Sequence, residues 1–223
     1  MSHSPPSYVP VDVIKDMPVV HGWDDWDPYV LLGTQDPDTQ ANLARLTDRA
    51  QIAFAIACAE WVVYRFQNLC DDRRPYDFIE AAWASEMSSD YSVPPQFAED
   101  EWRGPIRAPI DLSLVTIINT FYSTEDGAGD VDATFAERIP LHVLNDQTRF
   151  LRWRNSVLVR LQELFPRESG DANGAPVPRE AMDPDIDVTE ETLKASVSRF
   201  LRQLDETTNP FLTKVNRPGD RTQ

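Results

Sequence analysis

Between Leu43 and Phe66 the chain carries apolar or small side chains on two sides of a helical projection, and no other stretch constrains its fold as much. Leu43, Leu46, Ala50, Ala53, Phe54, Ala57, Trp61 and Tyr64 form one stripe, and Ile52, Ile56, Ala59, Val63 and Phe66 form another. A helix with a single apolar stripe lies at a surface, whereas one that is apolar on both sides must be enclosed by its neighbours. The reading is an all-α protein, an irregular helical bundle of about six helices around one long central helix. That helix is expected over residues 37–70. Asp36 can accept from the unpaired amides of its first turn, and the fixed φ of Pro37 suits the first helical position.

The remaining helices follow from punctuation and period. Pro75 opens a second over residues 76–87, and Pro109 a third reaching Tyr122. Residues 88–108 read as a proline- and acid-rich connection, with one short turn around 97–102. A glycine-rich loop at 125–132 precedes a segment at 133–145 that Pro140 breaks or kinks. Residues 148–165 are the most clearly amphipathic stretch, through Phe150, Leu151, Trp153, Leu158, Leu161 and Leu164. The organisation expected is an acidic aromatic arm over 1–36, a helical bundle over 37–165 and an acidic proline-rich linker over 166–187. A last helix over 188–207 then docks on the bundle, opened by a capping-box spacing from Asp187 to Glu190, and a loose tail covers 208–223.

Charge narrows the function classes. Against 37 acidic residues stand 21 basic ones, a formal net charge of -16. Such a field opposes direct contact with nucleic-acid phosphates or an anionic membrane, and it speeds encounter with a basic protein. The two cysteines, Cys58 and Cys70, are twelve positions apart on one expected helix, about 18 Å by helical rise, too far to bridge. Free thiols fit a cytoplasmic protein. The longest strongly apolar run, residues 52–59, is much shorter than the ~20 residues of a membrane span.

Few residues suggest catalysis. His3, His21 and His142 lie in separate segments without metal-ligand spacing, no glycine-rich phosphate loop occurs, and no cofactor is implied. Asp71, Asp72 and Asp77 form the one carboxylate cluster able to suggest magnesium, although a second facing motif is absent. Glu60 sits in the apolar middle of the central helix and, if buried, needs a partner such as Arg65 or an arginine from elsewhere. Arg149, Arg152, Arg154, Arg160 and Arg167 concentrate positive charge on and just after the amphipathic helix, where acid-rich loops can pair with them. In the arm, Trp23, Asp24, Asp25, Trp26 and Asp27 set two large aromatics among three carboxylates, a composition that packs on the body or on a partner.

The order Leu46, then Ile52, Ala53, Phe54 and Ala55, then Cys58, Ala59, Glu60, Phe66, Ile79, Trp83, Pro109, Ile110 and Asp111 resembles a bacterial all-helical domain of unknown function across residues 43–122. That resemblance implies a helical fold and no activity. As a class, an acidic helical chain poor in motifs is similar to the immunity proteins that neutralise antibacterial toxins. The functional expectation is a cytoplasmic binding protein of immunity type, occluding a basic toxin or nucleic-acid-binding protein through residues 23–27. A small magnesium-dependent helical enzyme and an adaptor subunit of a larger complex are the alternatives.

Overall fold

The computed structural model describes residues 4–96 and 102–215. Helices organise the chain, and among the described residues only isolated β-bridges interrupt the all-α pattern. Two short helices, α1 (Val11–Ile14) and α2 (Pro28–Leu32), lie in the N-terminal arm. The bundle follows as α3 (Pro37–Leu43), α4 (Asp48–Arg65), α5 (Arg74–Met87), α6 (Gly104–Glu125), α7 (Gly129–Ala136), α8 (Arg138–Val143) and α9 (Thr148–Leu164). A 3-10 turn at Arg179–Met182 and helix α10 (Glu190–Gln203) complete it.

Helix α4 is the centre. Every residue from Ala50 to Arg65 is buried, because α5, α6, α7, α8, α1 and the 3-10 turn all pack on it. Its two apolar stripes thus meet neighbours on every side, as its sequence requires. Helix α9 closes the bundle through Phe150, Trp153, Val157, Leu158 and Leu161. Trp153 stacks on Tyr8 at 5.5 Å and on Phe54 at 6.0 Å, and its indole donates to the Met182 carbonyl at 2.8 Å.

The single helix expected over 37–70 is in fact two. It breaks at residues 44–47, and the cause is a distant segment. The first amides of an α-helix have no acceptor inside it. Here Thr47 N–H donates to Phe165 O at 3.1 Å, Asp48 N–H to Ala172 O at 2.8 Å and Arg49 N–H to Asn173 O at 3.2 Å. Leu46 pairs with Pro166 in an isolated bridge, and the Arg167 side chain donates to Leu46 O and pairs with Asp48. Gly174 permits this approach: a Cβ there would lie 2.4 Å from the Thr47 methyl, and its φ is +76°.

Residues 166–187 are therefore no free spacer. Besides capping α4, they bury Val177, Ala181 and Met182 completely. Three further boundaries differ from expectation, and the break expected with Pro140 falls at Glu137, between α7 and α8. Helix α6 starts at Gly104, with Pro105 in its first turn and Pro109 inside it. Pro140 falls in the first turn of α8, where a missing N–H costs nothing. The capping box of α10 pairs Thr189 with Thr192, two positions beyond the expected one, since a hydroxyl on each side satisfies both backbone amides. Residues 208–215 are docked: Asn209 and Leu212 are buried, and Thr213 and Val215 bond to the backbone at Ser92 and Asp90. The short turn expected around 97–102 falls largely outside the described residues.

Candidate functional site

The N-terminal arm is held on the bundle by backbone groups that α6 leaves unpaired and by bundle side chains that reach the arm's carbonyls. Pro109 has no N–H, so within α6 the Pro105 carbonyl lacks its usual donor. His21 takes the place of that donor, its Nε2 lying 2.8 Å from Pro105 O. Asp25 accepts from the Gly104 N–H at 2.8 Å, where α6 begins. His142 Nε2 meets Gly22 O at 2.7 Å, Asn145 donates to Pro18 O at 3.0 Å, and Arg65 donates to Met17 O at 2.6 Å. Trp23 is half-buried, with its ring 5.9 Å from that of His142.

Of the five arm residues singled out by the sequence, Trp23 and Asp25 thus hold the arm to the body. Asp24 makes a local turn, accepting from the amides of Trp26 at 2.9 Å and Asp27 at 3.3 Å. Its turn holds out the tryptophan that follows. Trp26 is 94% exposed, and Asp27 beside it is exposed as well. Along α2, Tyr29, Val30 and Leu31 are also exposed, with Val30 at 74%. Tyr29 leans on Phe135 of α7 at 5.3 Å, and Gln35 donates to Val131 O at 2.9 Å. The outcome is an apolar ledge of Trp26, Tyr29, Val30 and Leu31 bordered by Asp24, Asp25 and Asp27, on a loop anchored at both sides. The sequence singled out residues 23–27 as the contact but not the apolar continuation along α2.

A second constellation lies in the interior. Glu60 is fully buried, and its carboxylate accepts from the Tyr8 hydroxyl, from the Trp83 indole at 3.2 Å and from Arg179 at 2.5 Å. Burial pushes its carboxyl up from the ordinary range, and Arg179 pulls the other way. Desolvation is the largest single influence on Arg179 and works against its charge, but Glu60 and Tyr64 together outweigh it and hold the guanidinium above its usual value. The partner that a buried Glu60 demands is thus Arg179, from the segment expected as a linker. Arg65 turns instead to the carbonyls of Met17 and Pro18. Glu86 is a second enclosed acid: it accepts from Val177 N–H at 2.9 Å, with Arg49 4.0 Å away, and burial pushes its carboxyl up to about 8.

The aspartates suggested for magnesium are not gathered into a metal site. The Asp72 carboxylate accepts from Nε and Nη2 of Arg74, and no group of three or more His, Cys, Asp or Glu side chains placed to hold a metal occurs among the described residues. Three of the five basic residues pair internally: Arg154 with Glu137 and Asp36, Arg160 with the carbonyls of Pro184 and Ile186, and Arg167 with Asp48. Arg149 and Arg152 are exposed. Cys58 and Cys70 are both free and buried, and no helix among the described residues is long and apolar enough to cross a membrane.

No protein-family model matches the chain, and neither the curated proteins nor the solved structures contain a significant match.

Proposed function

We propose that this chain is a cytoplasmic binding protein that captures a basic protein partner, in the manner of an immunity protein occluding a toxin, with the arm ledge as its contact surface. The observation that carries the reading is the tryptophan at 94% exposure on a firmly held loop. Tryptophan and tyrosine dominate the energetics of protein interfaces, and an isolated surface rarely keeps such rings in water. Around them Asp24, Asp25 and Asp27 add to a chain whose net charge is -16, a field that steers basic surfaces toward it. The anchored backbone lowers the ordering cost of association.

The test is affinity capture from the native host with the wild-type chain and with Trp26→Ala. Wild type is expected to retain a basic protein, and Trp26→Ala to lose it through an off-rate raised at least tenfold, about the 1.4 kcal/mol that separates an anchor from a neutral contact. Asp27→Asn is expected to reduce the salt dependence of the on-rate while leaving the off-rate nearly unchanged, because rim charge acts before contact. Recovery of the same proteins by wild type and Trp26→Ala would overturn the reading.

A further inference from the structure

Between α4, α5 and α10 lies a cleft of about 580 Å³, a volume suited to a small molecule. Its walls are mainly apolar, and four of the lining side chains are aromatic: Tyr64, Tyr76, Trp83 and Phe200, with Tyr64 and Tyr76 meeting edge to face at 5.4 Å. Its charged groups are Glu60, Arg179 and Glu80. Glu60 and Arg179 are paired with each other at 2.5 Å, so the lining charge without a counter-charge is that of Glu80, whose Oε2 accepts from the neutral Asn209 amide at 2.9 Å. Arg179 also borders a smaller hollow beneath Tyr8 and Met87. Glu80 borders a different one, where Asp77 and Asp205 outnumber Arg73. The cleft is therefore polarised, with a neutralised ion pair toward one side and an acidic opening toward the other.

We propose that this cleft binds an organic amine, with its apolar body among the aromatic side chains and its ammonium at the Glu80 side. Ring faces carry negative electrostatic potential and attract a cation within about 6 Å, most strongly where water is excluded. A carboxylate ligand is disfavoured on the same geometry. To reach Arg179 it would have to share that guanidinium with Glu60 and place two carboxylates side by side in a poorly solvated site. The site lies apart from the arm ledge and does not depend on the protein-capture reading.

Three soluble probes of similar shape separate the possibilities: phenethylamine, 2-phenylethanol and 3-phenylpropionate, each titrated into the full chain at neutral pH by calorimetry with ligand-observed NMR. Phenethylamine is expected to saturate and to bind about tenfold more tightly than 2-phenylethanol, with 3-phenylpropionate weakest. Glu80→Gln should remove most of the amine's advantage and leave the alcohol unaffected. Gln203→Trp, at an exposed residue bordering the cleft, should abolish binding without lowering the melting temperature. The proposal is overturned if the propionate binds best, if none of the three saturates, if Glu80→Gln weakens amine and alcohol alike, or if Gln203→Trp still binds.

Discussion

Glu86 illustrates how one enclosed acid sets a pH dependence for the chain. Its carboxyl is pushed to about 8 in the fold, foremost by burial, against about 4.3 for an unstructured glutamate. Between those values the folded chain holds a proton that the unfolded chain has released. Stability from this group is therefore complete at low pH and is lost as pH rises through about 8, with a limiting slope of about 1.4 kcal/mol per pH unit. Glu86→Gln keeps an acceptor for the Val177 amide and has no charge to bury. Urea melts at several pH values should show it more stable than wild type at pH 9, with a flatter decline between pH 6 and 9. A parallel decline in both proteins would assign the pH dependence to other groups. That Glu86 is enclosed was not legible in the sequence, because what covers it is Val177, 91 residues along the chain.

The elements tell a similar story about what a sequence discloses. Enclosure of α4 and the inward face of α9 were readable, since period three to four reports a buried stripe directly. The break at residues 44–47 and the packing of 166–187 were not, because their cause is a set of backbone bonds between segments up to 124 residues apart, which leave no local period. The arm was half-legible. Its aromatics announced contact, yet the reason His21 and Asp25 dock is the proline pattern of α6, which offers a carbonyl and an amide to them. This docking is pH-sensitive. Burial foremost, then the nearby His142 and Arg65, lower the affinity of His21 for a proton, while in the unfolded chain it titrates near 6.5. As pH falls through that value the unfolded chain gains the proton first, so the docked arm loses stability toward acid and keeps it above. Hydrogen exchange at the Gly104 amide, which Asp25 of the arm accepts from, should quicken as pH drops from 7 to 5.5 after correction for intrinsic rates. In His21→Gln this acceleration should largely vanish, and an unchanged acceleration would remove His21 from the account.

At the scale of the molecule, one buried knot joins the arm, the central helix, α5 and the 3-10 turn: Tyr8, Glu60, Trp83 and Arg179. Breaking such a pair from one side leaves a charge stranded, whereas replacing both partners spares that cost. Arg179→Met alone is expected to lower stability by roughly 2–3 kcal/mol, a value reduced because the arginine side chain retains 30% exposure. Glu60→Gln combined with Arg179→Met should recover at least half of the loss in denaturant melts, and strict additivity of the two changes would refute the coupling. The knot also has a bearing on the order in which this protein can be made. A ribosome releases the arm first and the central helix soon after, yet the arginine that neutralises Glu60, the carbonyls that cap α4 and the Val177 amide for Glu86 emerge only after most of the bundle. A nascent chain ending near residue 165 holds Glu60 without the Arg179 charge and Glu86 without the Val177 amide, so two acids in an apolar helical layer are only partly answered and its collapse stays incomplete. Vectorial synthesis thus makes the last third of the polypeptide the trigger for folding the first.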